Sequence, residues 1–211
     1  MEKEIGALAI IAASGYLLGS FPTAYLIVRR FAGKNIREYG SGNVGTLNVH
    51  RATNSKLLTA VNLAGDVLKG VLAMAVGFAV ASAIGVDSHL GAAAGGILAV
   101  VGHNYTVFLG FQGGKGIATA LPVLLYLEPV LVALWIVTFL LVLATTRFLV
   151  LGQILGTLLV PIFGYILFPD SIVPVTVVAL LVFIKHTPRI GAIVNGTEPK
   201  LYYKIEEPQK P

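Results

Sequence analysis

The chain has 211 residues, 56% of them hydrophobic and only 12% charged. A soluble domain carries about 25% charged residues, so this composition excludes an ordinary soluble fold and points to lipid. There is no cysteine, which removes disulfides, thiolate metal sites and a cysteine nucleophile, and the net charge is +5.

Taken in order, the apolar runs give seven expected membrane-spanning helices, over residues 5–28, 57–84, 90–109, 117–127, 130–145, 148–168 and 172–184. Residues 2–4, Glu-Lys-Glu, lack the basic flank of a secretory signal, so the first run is expected to stay as a span. The fourth run is short, and a re-entrant segment is its alternative. Seven crossings place the 29–56 loop, the 110–116 turn, Arg147 and everything after residue 184 on one face. That face then holds every Lys and Arg except Lys3 and Lys69, while Glu2, Glu4, Asp87, Glu128 and Asp170 lie on the other. The positive-inside rule therefore puts the N-terminus outside and the C-terminus in the cytoplasm, and assigns the positive charge to topology rather than to nucleic acid. The expected fold is all-α and polytopic, with one transmembrane domain over 1–205 and a disordered polar tail over 206–211. Tyr202 and Tyr203 read as interfacial anchors. Gly91, Gly95 and Gly96 read as sites of close helix packing.

Three polar clusters share the basic face. Residues 40–51 read Gly-Ser-Gly-Asn-Val-Gly-Thr-Leu-Asn-Val-His-Arg, combining glycines, small donors and an arginine that can grip phosphate with two parallel hydrogen bonds. Residues 110–119 read Gly-Phe-Gln-Gly-Gly-Lys-Gly-Ile-Ala-Thr, preceded by Gly102-His103. Such a loop can turn backbone N–H groups toward one anion, with Lys115 adding a full charge and the next helix its N-terminus. A simple turn between helices is the bland alternative, and a nucleotide P-loop is excluded because Gly116 follows the lysine where Ser or Thr is needed. His103 either serves this site or satisfies carbonyls at its helix end. The third cluster runs from Lys185-His186-Thr187-Pro188-Arg189 to Asn195-Gly196-Thr197-Glu198. Arg29, Arg30 and Arg37 read as topology determinants. Asp66 and Lys69 are three apart on one helix face, and a lone charge inside a span costs about 2.5–3.5 kcal/mol, so they either pair with each other or line a polar cavity, and they read as a structural pair in preference to direct catalysis.

This inventory is rich in anion binders and poor in bases. A metal-dependent phosphotransferase would need several aspartates, whereas a reaction between two phosphorylated molecules needs positioning and charge neutralisation. An anion or organophosphate transporter is the rival reading, with the basic loops as its gate.

Four stretches then resemble one family. Residues 19–26 (Gly-Ser-Phe-Pro-Thr-Ala-Tyr-Leu), 40–51, 66–70 (Asp-Val-Leu-Lys-Gly) and 102–119 are similar, in order, to the bacterial integral-membrane acyl-phosphate:glycerol-3-phosphate acyltransferases. The resemblance implies acyl phosphate and glycerol 3-phosphate as substrates, lysophosphatidic acid and phosphate as products, and no metal or other cofactor. It implies a multi-pass protein of the bacterial inner membrane with its site on the cytoplasmic face. It makes Ser41 and Arg51 essential, gives glycerol 3-phosphate to the glycine loop, and assigns roles to His186 and Glu198. The third motif departs from the family's His-x-x-Asn-Ile-x-Arg: His186, Ile190, Gly196 and Glu198 fit, but Arg189 stands at the Asn position and Ala192 at the Arg. Leu47 replaces the usual Thr before Asn48.

The expected chemistry is direct acyl transfer without an acyl-enzyme, the alternative making Ser41 a nucleophile. Arg51, Lys115 and the amides of 113–116 are expected to hold phosphates, with Ser41 and Asn43 orienting the acyl phosphate. A substrate phosphate oxygen or His186 takes the proton. The expected substrate-binding set is Gly42, Asn48, His103, Gly113, Gly114, Gly116, Thr119, Arg189, Asn195 and Glu198. A monomer in the bilayer is expected.

Overall fold

The computed structural model describes residues 2–201, and the expectations for Tyr202, Tyr203 and the 206–211 tail lie outside that range. Ten α-helices follow one another: α1 (Glu2–Ser20), α2 (Thr23–Ala32), α3 (Thr46–Thr53), α4 (Lys56–Ala83), α5 (Ser88–Asn104), α6 (Ile117–Leu127), α7 (Pro129–Thr146), α8 (Leu149–Leu167), α9 (Ile172–Ile184) and α10 (Ile190–Val194). Each of the seven apolar runs becomes helix. Among the described residues five helices are long and apolar enough to cross a membrane, and a sixth if Pro169–Ile184 and Thr187–Val194, bent by 43°, form one broken span. α6 is apolar but has only 11 residues.

The first run is not one helix, because α1 and α2 part at Phe21-Pro22. Proline lacks the N–H that would continue the ladder, and a carbonyl freed inside a membrane must find another donor. The Thr106 hydroxyl donates to Ser20 O at 2.5 Å, and Lys69 Nζ donates to Phe21 O at 3.3 Å.

α1, α4 and α5 pack through glycines rather than large side chains. A Cβ on Gly15 would lie 2.8 Å from Gly95 O, one on Gly19 would strike the Ala99 backbone, and one on Gly77 the Gly91 carbonyl. Backbones this close gain dispersion contacts that lipid cannot supply, which is how helices associate where the hydrophobic effect is absent. α7, α8 and α9 form the other side, around buried Leu131, Val160, Val175 and Ala179. α6 lies between the two groups, with Val123 fully buried beside Val100, Val178 and Val182. The short α6 leaves space beneath its N-terminus, and the polar loops converge there.

Candidate active site

The 33–55 connection is a packed structure. Ile36, Val44, Val49 and Ala52 are buried with Ala24, Ile27, Val28 and Leu109. Asn48 on α3 organises it: its Nδ2 donates to the carbonyls of Ile36 at 3.0 Å and Tyr39 at 2.9 Å, and its Oδ1 accepts from the Ser41 N–H at 3.2 Å. Gly40 and Gly42 take φ of +53° and +69°, and a Cβ on Gly40 would strike the Asn48 amide. Asn48 reaches the cavity described below; both N–H donors of its amide are spent on the loop, while its Oδ1 accepts one bond and keeps a second lone pair. Ser41 is exposed and Asn43 half-buried, with the Asn43 N–H 3.4 Å from Ser41 Oγ. Asn62 Nδ2 donates to Thr46 Oγ1 at 3.0 Å and to Asp66 Oδ2 at 3.1 Å, tying the start of α3 to α4. Asp66 and Lys69 form a buried ion pair at 2.8 Å, with His103 Nδ1 3.6 Å from Asp66 Oδ1.

The glycine loop corrects part of the expectation. The amides of Gly113 and Gly114 do not hold an anion, because they donate to Asn104 O at 3.1 Å and His103 O at 2.9 Å. These positions are glycine for want of space: a Cβ on Gly113 would strike the His103 carbonyl, and one on Gly114 the His103 ring. The loop is folded back on the end of α5, and it delivers Lys115 and the N-terminus of α6 to the site. The first bond of α6 runs from Ala120 N to Gly116 O at 2.8 Å, so the amides of Ile117, Ala118 and Thr119 have no intrahelical acceptor. No side chain caps this end, and Gly116, Ile117 and Ala118 line the cavity. Thr119 does not, since it is fully buried and its carbonyl faces Gly70 on α4.

In the third cluster, Arg189 Nε donates to Glu198 Oε2 at 2.9 Å, with the terminal nitrogen 2.8 Å from the same oxygen. The Glu198 N–H donates to Ala192 O at 3.0 Å, so the turn after α10 folds Glu198 inward. Asn195 caps α10 and is exposed away from the cavity, against the expectation that it binds substrate. His186 is also displaced from its expected place. It is 0% exposed, with Nδ1 2.8 Å from Val182 O and Nε2 3.2 Å from the Gln153 side chain. Burial, followed by the nearby Lys115 charge, lowers its pKa to about 4. The imidazole therefore sits behind the wall of the cavity and not on it.

These pieces surround one cavity of about 710 Å³. Its polar end carries Ser41, Asn43, Arg51, His103, Lys115, Arg189 and Glu198, and its far end Leu121, Leu124, Val132, Trp135, Ile136, Val160, Val178 and Ala179. Gly42, Gly113, Gly114, Thr119, His186 and Asn195 are not among its lining residues. Lys115 has its pKa lowered to about 8, chiefly by burial and then by Arg189 and Arg51, with Glu198 opposing. Arg51 and Arg189 thus disfavour the charged form of Lys115, and Glu198 offsets part of that. Among the described residues no three of His, Cys, Asp or Glu gather as metal ligands. The sequence reading missed Gln153, Trp135, Thr157 and His50, all on the cavity wall, and Asn62 behind it. Trp135 Nε1 donates to Thr157 Oγ1 at 3.2 Å, which satisfies both polar groups in the apolar end. Gln153 and Asn62 were visible as lone amides inside apolar runs.

Residues 9–196 match the family model described as glycerol-3-phosphate acyltransferase. The chain is 39% identical over 205 residues to the glycerol-3-phosphate acyltransferase of Clostridioides difficile, covering 96% of this chain and 100% of that one. It is 35% identical over 195 residues to that of Bacillus subtilis, covering 92% and 97%. Among solved structures it is similar to the crystal structure of PlsY, an integral membrane glycerol 3-phosphate acyltransferase, in its glycerol 3-phosphate form. The TM-score is 0.77 at 29% identity, covering 92% of this chain and 95% of that one. The lysophosphatidic acid form of PlsY gives 0.75. The cavity, the membrane helices and these matches agree: the chain belongs to the glycerol-3-phosphate acyltransferase family.

Proposed function

We propose that this protein transfers a fatty acyl group from an acyl phosphate to glycerol 3-phosphate at the cytoplasmic face of the bacterial inner membrane. The observation that carries the reading is one cavity with Arg51, Lys115 and Arg189 at one end and an apolar sleeve at the other. The acceptor hydroxyl oxygen attacks the acyl carbonyl carbon. The bond from that carbon to the phosphate oxygen breaks, inorganic phosphate leaves and lysophosphatidic acid forms. The hydroxyl proton passes to a phosphate oxygen, since His186 lies behind the wall. Lys115 and the N-terminus of α6 hold the phosphate of glycerol 3-phosphate, Arg51 holds the acyl phosphate, and Ser41 and Asn43 orient it and support the oxyanion. Removing one such oxyanion donor costs about 10²–10³ in rate.

Attack is direct, without an acyl-enzyme. Ser41 Oγ accepts from the Asn43 N–H, and no imidazole or carboxylate is hydrogen-bonded to it among the described residues. The reading takes seven crossings with the C-terminus inside, which would put Ser41, Lys115 and Arg189 on one side; that all three line one cavity supports it, and that all come from one chain supports a monomer.

Proteoliposomes test the reading against a transporter. Phosphate release from palmitoyl phosphate that depends on glycerol 3-phosphate is the expected result. Uptake of labelled glycerol 3-phosphate without turnover would overturn it.

A further inference from the structure

Lys115 is half-buried on the cavity wall, and among the described residues its ammonium has no hydrogen-bond or ion-pair partner. Arg189 and Glu198 hold each other at 2.8 Å. Lysine has a flexible four-carbon stem, so an unheld Nζ can reach across the site. The charged groups facing it are Arg51 on α3 and Arg189 and Glu198 after α9, with the His186 ring behind the wall. Burial and the two guanidinium groups lower its pKa to about 8, so at neutral pH a share of the side chain is a free amine. A desolvated lysine beside other cations is the form in which this residue acts as a nucleophile. The other lysine on the wall, Lys200, is exposed and has its Nζ over the Phe148 ring at 5.7 Å.

An acyl phosphate is a mixed anhydride that reacts with amines as well as with hydroxyls. In the proposed reaction Lys115 holds the phosphate of glycerol 3-phosphate, whose reacting hydroxyl is only a short carbon chain away. Its Nζ therefore lies within one small molecule's length of the acyl carbon. We propose that Lys115 is a self-acylation site, modified by the bound acyl phosphate when the acceptor position is empty. The inference rests on acyl phosphate being the donor. The Nζ lone pair attacks the acyl carbonyl carbon, the bond from that carbon to the phosphate oxygen breaks, and inorganic phosphate leaves with the electron pair. One amine proton passes to the departing phosphate, and an amide remains on the lysine. An amide nitrogen is a poor leaving group, so the adduct is a dead end and not an intermediate of turnover. It removes the charge that grips the acceptor, as lysine acetylation does elsewhere. The site thereby shuts down when donor accumulates without acceptor, and bound glycerol 3-phosphate protects it by engaging the ammonium.

The test incubates the detergent-purified full chain with carbonyl-labelled palmitoyl phosphate, with and without glycerol 3-phosphate. Label is placed on the chain by peptide mass spectrometry, and remaining acyl transfer is measured after dilution into acceptor. Without acceptor, label is expected on the peptide that carries Lys115, with activity lost in step. Saturating glycerol 3-phosphate should suppress the label by at least about 10-fold. Labelling should rise from pH 7 to pH 9, because the amine loses its proton near pH 8. Lys115→Arg should stay unlabelled. Label spread over surface lysines such as Lys34 and Lys56 overturns the assignment whether or not the variant folds. So does label on Lys115 that glycerol 3-phosphate leaves unchanged, or a labelling rate that is flat with pH. A protein that makes lysophosphatidic acid from palmitoyl phosphate but takes no label without acceptor sinks this inference alone. Label on Lys115 without any lysophosphatidic acid would sink the acyl-transfer reading and leave this one standing, and neither label nor product overturns both.

Discussion

At the scale of single residues, Lys115 makes the sharpest statement about the site. Its pKa is lowered to about 8 because burial and two neighbouring guanidinium groups disfavour the ammonium. The charge is therefore lost as pH rises through about 8, while the substrate phosphates stay dianionic. KM for glycerol 3-phosphate is expected to climb above that pH, and Lys115→Arg should move the alkaline limb upward. Lys115→Met should lower kcat/KM by about 10²-fold at pH 7; a pH–rate series on the three proteins checks both points. The Arg189–Glu198 pair gives a second expectation. Arg189→Ala leaves a carboxylate buried and unpaired beside the site, so it should reduce both thermal stability and activity. Arg189→Ala with Glu198→Ala should recover stability and not activity, as melting curves and rates on the single and double variants would show. The convergence of the polar residues on one cavity was legible from their types and clustering. Their division of labour was not: Asn48 also braces its loop and Gly114 packs against the His103 ring, because hydrogen-bond partners and packing neighbours distant in sequence cannot be read from it.

The helices show the same division. Their existence follows from long apolar runs, and most ends follow from glycine, proline or charge. The break at Pro22 was hidden, since a proline in a span can also be carried as a kink; what opens it here is a pair of donors, Thr106 and Lys69, that only the fold brings near. α3 and α10 escaped notice because each is too short to show a period. The glycine seams were legible as small residues, and the structure makes them testable. Gly19→Val should abolish folded protein or sharply lower its melting temperature in detergent, because its side chain meets the Ala99 backbone. Gly6→Val, with nothing within 4 Å, is the matched control and should be tolerated. Equal melting temperatures for the two variants would contradict the close packing of α1 on α5.

Across the whole molecule, the charged loops and the apolar sleeve meet in one cavity, and this junction ties topology to chemistry. The chain contains no cysteine, so single cysteines report sidedness without background. A cysteine at Ser41 should react with a membrane-impermeant maleimide only from the cytoplasmic side, and one at Ser88 only from the outside; the same side for both would break the seven-crossing arrangement. The central claim is that acyl phosphate and glycerol 3-phosphate meet in this cavity and react directly. It is tested by incubating purified protein with carbonyl-labelled palmitoyl phosphate and glycerol 3-phosphate, then following lysophosphatidic acid, phosphate and protein-bound label together. Lysophosphatidic acid and phosphate in equal amounts, with no label on the protein, is the predicted result. Label trapped on Ser41, or product formed only when an acyl thioester replaces the acyl phosphate, would contradict it.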